Sequence, residues 1–222
     1  MADNLPPRRL AADSEVAVAV TEGTTPTVLW LGGFRSDMAG GKASALADWG
    51  AERGRRVVRF DYRGHGESGG DFEDCGISDW LADAEAVYRT LCEPGTVSVG
   101  SSMGGWIALL LAQRLLAAGT PLGGLVLIAP APDFTERLMW PQFDEAARAT
   151  IVREGKVMLP SEYGDPYPIT HRLIEDGRRH LLYGDTPIKT GCPVHILQGV
   201  LDDAVPHTHV LELVDRLAQD DV

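Results

Sequence analysis

Short runs rich in valine, isoleucine and leucine alternate along the chain with segments in which apolar residues recur at helical spacing. That is the pattern of a mainly parallel sheet covered by helices on both faces. Strands are predicted at EVAVAV (15–20), TVLWLG (27–32), RVVRFDY (56–62), TVSVGS (96–101), GLVLIAP (124–130) and PVHILQG (193–199). Helices are predicted near 42–53, 78–92, 103–118 and 206–219. The rhythm breaks between about 133 and 188, where two helical patterns, TERLMWPQFDEAARATIVRE and ITHRLIEDGRRHLL, flank a loop rich in proline and tyrosine. This stretch is expected to be a cap inserted above the sheet. No repeat, low-complexity tract or linker divides the chain, so one domain is expected over residues 1–222.

Composition narrows the function classes. Hydrophobic residues make up 44% and charged residues 23% of the 222 residues, ordinary for a globular α/β domain. No apolar run approaches the length that spans a bilayer, so no membrane insertion is expected. A net charge of −12 argues against nucleic acid as a partner. Asp13 and Glu15 interrupt what would have to be the apolar stretch of a signal peptide, which makes the cytoplasm the expected location. Cys75, Cys92 and Cys192 are too few and too far apart for a zinc site or a disulfide framework and read as buried apolar thiols. Oligomeric state is left open by the sequence.

The chemistry enters at Gly100-Ser101-Ser102-Met103-Gly104, a G-x-S-x-G pattern between a predicted strand and a predicted helix. In that context the chain must bend sharply at Ser102, and the flanking glycines leave room for the backbone. The following helix directs its N-terminal dipole to where charge would develop on a reacting carbonyl oxygen. Upstream, Leu31-Gly32-Gly33-Phe34 ends an apolar strand where a second backbone donor is required, so the amides of Phe34 and Met103 are the candidate oxyanion hole. Downstream, Gly199-Val200-Leu201-Asp202-Asp203 follows a strand; Asp202 is the candidate acid that would orient a histidine, with Asp203 as fallback and a helix N-cap as the plain alternative for both.

With these segments together, the chain resembles the α/β-hydrolase superfamily, and within it the branch of palmitoyl-protein thioesterases that also cleave acyl glucuronides. The likeness rests on WLGGFRSDMAGGKA, RFDYRGHGESGG, VGSSMGGW, LPSEY with the later RHLL, and GVLDDAVP. It implies an α/β-hydrolase fold, Ser102 as nucleophile, Asp202 as acid, and a small-molecule or acylated ester or thioester as substrate. It also implies an acyl-binding cap, for which Phe34, Trp140, Met158 and Tyr163 are the candidate pocket residues. No cofactor and no metal are implied.

One part departs from the family pattern. The resemblance places the catalytic histidine one further strand beyond the acid, past Val222. The chain is therefore expected to be part of a longer protein and, as it stands, to hydrolyse esters poorly. His207 and His209 lie just after Asp202 but at a helix start, where an imidazole has little freedom to reach both partners. His65, His171, His180 and His195 read as structural. Rival motifs fail on context. Gly64-His65-Gly66-Glu67-Ser68-Gly69 matches a dinucleotide fingerprint, but no helix opens at its glycines. Gly40-Gly41-Lys42 lacks the hydroxyl residue of a phosphate loop, and no histidine pair has metalloprotease spacing. The remaining alternative is a catalytically silent hydrolase-fold protein that binds an acyl ligand or a partner.

Overall fold

The protein is described here from a computed structural model, which covers residues 7–11, 15–161 and 164–217. Strands β1 (Arg8–Arg9), β2 (Ala17–Thr21), β3 (Thr24–Leu31), β4 (Arg55–Phe60), β5 (Val97–Ser101), β6 (Gly124–Ile128) and, after a hairpin described below, β9 (Val194–Leu197) form one sheet in the order β1-β2-β4-β3-β5-β6-β9. The strands from β4 across to β9 are parallel, and β1 and β2 are antiparallel at one edge. Helices α1 (Gly41–Arg53), α2 (Ile77–Leu91) and α3 (Met103–Ala117) supply the crossovers between the parallel strands.

Period-two alternation explains why the sheet is covered twice. On β3, Leu29 and Leu31 join the larger core with α2 and α3, whereas Val28 and Trp30 join a smaller core with Ala43 and Leu46 of α1. Val58 and Phe60 against Val57 on β4, and Leu125 and Leu127 against Val126 and Ile128 on β6, divide in the same way. The α3 helix is buried on nearly every side, which fits its unbroken run Trp106-Ile107-Ala108-Leu109-Leu110-Leu111. α2 buries Ile77, Trp80, Leu81, Ala84, Val87 and Tyr88 at helical spacing.

The insert differs from the expectation of two helices and a loop. The first pattern breaks at Trp140-Pro141 into a π-helical turn (Thr135–Met139), a 3-10 turn (Trp140–Gln142) and helix α4 (Glu145–Glu154). Proline cannot donate to the preceding turn, and Asp144 caps the new helix by accepting from the Ala147 amide at 2.7 Å. The proline- and tyrosine-rich stretch forms an antiparallel hairpin, β7 (Lys156–Ser161) with β8 (Gly164–Thr170). α5 (His171–Gly177) and a 3-10 turn (Arg178–His180) complete the insert, and α6 (His207–Arg216) closes the described chain. β9 hydrogen-bonds to β6 alone among the described residues, and Leu197, Val200 and Leu201 beside that edge are 58%, 72% and 92% exposed. Among the described residues, no helix is long and apolar enough to cross a membrane.

Candidate active site

Ser102 stands between β5 and α3 with φ 54° and ψ −118°, a conformation that costs a non-glycine residue roughly 1–3 kcal/mol and persists only when its surroundings enforce it. Three backbone hydrogen bonds enforce it here. The Ser102 amide donates to the Ile128 carbonyl at 3.0 Å, and the Ser102 carbonyl accepts from Gly105 at 2.9 Å and Ala131 at 3.1 Å. The neighbouring glycines are sterically required: a Cβ on Gly100 would lie 2.4 Å from the Gly104 carbonyl oxygen, and one on Gly104 would lie 2.1 Å from that of Leu31. The first turn of α3 thus sits directly on the end of β3. The Ser102 hydroxyl has no hydrogen-bond partner among the described residues, and the side chain is only partly buried.

The loop after β3 lies against this bend, since a Cβ on Gly33 would fall 3.5 Å from the Ser102 Cβ. The end of β4 and the turn after it hold that loop at several points. The His65 Nε2 accepts from the Arg35 amide at 3.1 Å, the Asp61 carboxylate accepts from the Met38 amide at 2.6 Å, and Arg59 donates to the Met38 carbonyl at 2.9 Å. Arg35 itself has φ 58°, so the chain turns abruptly right after Phe34. Neither the Phe34 nor the Met103 amide donates to a backbone or side-chain acceptor among the described residues. Two main-chain donors therefore remain unspent beside one free hydroxyl.

His65 is 5% exposed, and burial lowers its pKa to about 4, so the ring is neutral. Its Nδ1–H is assigned to the Arg63 carbonyl at 3.3 Å, leaving Nε2 as the acceptor for Arg35. The ring packs edge-on against Trp80 and Phe72, with centroids 5.2 and 5.3 Å away. The structural reading of His65 thus acquires a specific content: the histidine fixes the backbone one residue beyond Phe34.

Two clefts meet at Ser102. One of about 270 Å³ is largely apolar, lined by Phe34, Phe134, Leu138, Met139, Leu159 and Tyr167 and closed on one side by Ala204 and Val205. The other, about 260 Å³, runs past Gly33 to Trp30, Asp37 and the start of α1 at Gly40-Gly41-Lys42. The loop carrying Asp202 adjoins the first cleft through Ala204 and Val205. The Asp202 Oδ1 accepts from those two amides at 3.0 and 2.8 Å and so closes its own turn. α6 begins only at His207, with Pro206 at its cap position, so neither Asp202 nor Asp203 caps it.

Among the other residues expected from the sequence, Phe34 and Met103 adjoin Ser102, whereas Trp140 and Met158 do not line its cleft. The Trp140 ring packs on Phe143 and beneath Arg148 and Arg178. Met158 is 49% exposed; it and Leu159 are successive residues on β7, and it is Leu159 that enters the cleft. Tyr163 lies outside the described residues. The lining residues Leu138, Met139 and Tyr167 escaped notice because the hairpin and the π-helical turn were not foreseen. Once β7 is read as a strand, its alternation selects Leu159 over Met158.

No histidine nitrogen bonds Ser102 or Asp202 among the described residues. The His209 Nε2 lies 2.9 Å from the Pro132 carbonyl, and burial lowers that group's pKa. His180 meets Ser78, whose hydroxyl donates to Asp176 at 2.7 Å. The residue types are those of a triad in the wrong order, because the serine proton is committed to the carboxylate. Asp176 also accepts from the Ser78 amide at 2.7 Å, tying the insert to the start of α2. Cys75 and Cys92 carry no activated thiol: Cys75 is pushed up to about 11 and Cys92 to about 12, both chiefly by burial. No cluster of metal-ligating side chains occurs among the described residues.

Comparison with known proteins agrees with this architecture. The family described as serine aminopeptidase, S33 matches residues 26–203, a span that contains the Ser102 bend, the Gly32-Gly33-Phe34 loop and Asp202. The chain belongs to the serine aminopeptidase S33 family. Among curated proteins it is 32% identical over 204 residues to the mitochondrial palmitoyl-protein thioesterase ABHD10 of Bos taurus, covering 90% of this chain and 65% of that protein. The chain thus spans a little under two thirds of that relative's length. Among solved structures, a putative hydrolase from Agrobacterium vitis superposes with a TM-score of 0.88 at 47% identity, covering 93% of this chain and 82% of the other. Mouse alpha/beta hydrolase domain-containing protein 10 gives 0.80 at 29% identity, with coverage of 96% and 84%. The α/β-hydrolase fold and the likeness to the thioesterase branch both stand.

Proposed function

We propose that this S33-family chain carries the catalytic core of a serine hydrolase that cleaves carboxylic esters or thioesters through an acyl-enzyme on Ser102. The observation that carries the reading is one strained residue, φ 54°, that sits where two clefts meet, its hydroxyl and the amides of Phe34 and Met103 having no hydrogen-bond partner among the described residues. In this reading Ser102 attacks the acyl carbonyl, and the amides of Phe34 and Met103 receive the oxyanion. The hydroxyl proton passes through a histidine base to the leaving thiol or alcohol, and water then releases the acid and restores the serine. Asp202 orients that base, a histidine that the family pattern puts one strand beyond the acid.

The apolar cleft suits an acyl chain, in keeping with the name of the bovine relative. Substrates are small or protein-borne acyl esters, and no cofactor takes part. The cytoplasm is the proposed location, to be tested by fractionation, since the bovine relative's name carries the word mitochondrial. The reaction is tested by fluorophosphonate labelling of the full-length protein, with and without Ser102→Ala. Labelling that needs Ser102 is expected. Its absence would favour a silent acyl-binding protein.

A further inference from the structure

The segment that grips Ser102 is itself strained. It begins at Ile128, whose carbonyl accepts from the Ser102 amide at 3.0 Å, and continues through Ala131, whose amide donates to the Ser102 carbonyl at 3.1 Å. Ala129 and Asp133 within it have positive φ, 44° and 58°, a conformation that persists in non-glycine residues only where the surroundings enforce it. The bracket around the nucleophile therefore needs anchors of its own. One lies at the root of the insert, where the buried Asp133 carboxylate accepts from the Leu182 and Tyr183 amides at 2.7 and 2.8 Å. The other comes from α6. The buried His209 ring puts its Nε2 2.9 Å from the Pro132 carbonyl, and since a carbonyl can only accept, the proton is assigned to that nitrogen. The His209 carbonyl in turn accepts from the Tyr183 hydroxyl at 2.7 Å, and the two rings pack with centroids 4.8 Å apart. His209 thus joins the entry of the insert to its exit.

We propose that His209 is a positioning residue that sets the acid loop against the nucleophile. The inference rests on the acyl-transfer reading of Ser102 and Asp202. His209 lies in the first turn of α6, and that helix is entered directly from the loop that Asp202 closes. Asp202 holds the Ala204 and Val205 amides, and the His209 amide donates to the Pro206 carbonyl at 2.9 Å, so the acid and the imidazole share one short stretch of chain. From the ring the connection runs through the Pro132 carbonyl to the adjoining Ala131, which lines the acyl cleft and holds Ser102. Every link between the Asp202 carboxylate and the Ser102 carbonyl is a hydrogen bond or a few covalent bonds of main chain. A donor removed at His209 leaves the Pro132 carbonyl unpaired in the interior and uncouples the two halves of the site. The histidine that fails as a general base is assigned here to holding the acid and the nucleophile in register.

The test uses the full-length protein and reads the rate at which a fluorophosphonate labels Ser102 as a function of pH. His209→Leu keeps an apolar side chain beside Tyr183 and removes the donor, whereas His209→Gln returns an N–H to the same region. His209→Leu is expected to slow labelling about tenfold, short of the roughly hundredfold that a misplacement of about 1 Å can cost. It also moves the midpoint of the rate profile to lower pH, because the carboxylate that raises the pKa of the histidine base has drawn away. His209→Gln recovers most of the rate and the midpoint. A residue that only stabilises the fold would lower the melting temperature and leave the midpoint in place. Tyr183→Phe, which deletes only the hydroxyl on the His209 carbonyl, carries the test if His209→Leu does not fold, with labelling about threefold slower and a midpoint shifted the same way. Wild-type labelling in the folded variant, a slowed rate with an unmoved midpoint, or a Gln variant no faster than Leu would overturn the proposal. Failure of the acyl-transfer reading shows separately, as wild-type protein whose labelling does not need Ser102.

Discussion

His65 couples stability to the geometry of the candidate oxyanion loop, and the coupling has a sign that can be measured. Its pKa falls from 6.5 to about 4 because burial disfavours the imidazolium, with a nearby Arg35 charge acting the same way. The unfolded chain therefore takes up a proton near pH 6.5 that the folded chain refuses until about 4. The contribution is complete above the unfolded value and is lost as pH falls toward the folded one. From pH 7 to pH 5 the loss is about 2 kcal/mol, from 1.36 kcal/mol per pKa unit over the part of the window in which only the unfolded state is protonated. His65→Gln keeps an acceptor for the Arg35 amide and removes the titration. Urea unfolding of both proteins at the two pH values should show the wild type losing about 2 kcal/mol more than the variant; other depressed histidines, His180 and His209, are common to both and cancel. Parallel losses would refute the burial argument. His65→Ala leaves the Arg35 amide without its acceptor and should lower kcat by roughly tenfold or more, short of the hundredfold to thousandfold for losing an oxyanion donor outright. KM should hardly move, and Gln should recover part of kcat. An Ala variant with normal kcat would show that His65 does not position the loop.

Four further outcomes follow from the geometry. Gly104→Ala forces a Cβ to 2.1 Å from the Leu31 carbonyl oxygen, so thermal unfolding should show a loss of about 3 kcal/mol or no folded protein. Leu159→Asp should cut kcat/KM for long acyl chains by about a hundredfold or more relative to short ones, while Met158→Ala changes neither, since burying a carboxylate beside an alkyl chain costs roughly 3 kcal/mol or more. Asp202→Asn should lower kcat by up to about ten-thousandfold and Asp203→Asn by little; the reverse order would transfer the acid to Asp203. Asp176→Ala should cost about 1–2 kcal/mol of stability by removing the acceptor at the start of α2, read by chemical denaturation.

The sheet and its crossover helices were legible because strands buried on both faces read as runs such as Val28–Leu31, and because α2 repeats its apolar residues at helical spacing. The Ser102 bend was legible for a steric reason, as Gly100 and Gly104 sit where any side chain would strike backbone. The insert was not. Lys156–Ser161 and Gly164–Thr170 are too polar and proline-rich to announce strands, and their pairing depends on contacts far apart in sequence. The choice of Trp140 and Met158 failed with it, because which face a side chain takes depends on the element that carries it. The grip of His65 on the Arg35 amide was also hidden, since thirty residues separate the two and only the fold brings them together.

The central claim is that acyl transfer passes through Ser102, and rapid quenching of a thioester reaction followed by intact and peptide mass spectrometry tests it most directly. The account predicts a transient mass increase equal to the acyl group, confined to the peptide that contains Ser102 and absent from Ser102→Ala. Turnover with the acyl group on another residue, or undiminished turnover in Ser102→Ala, would contradict it.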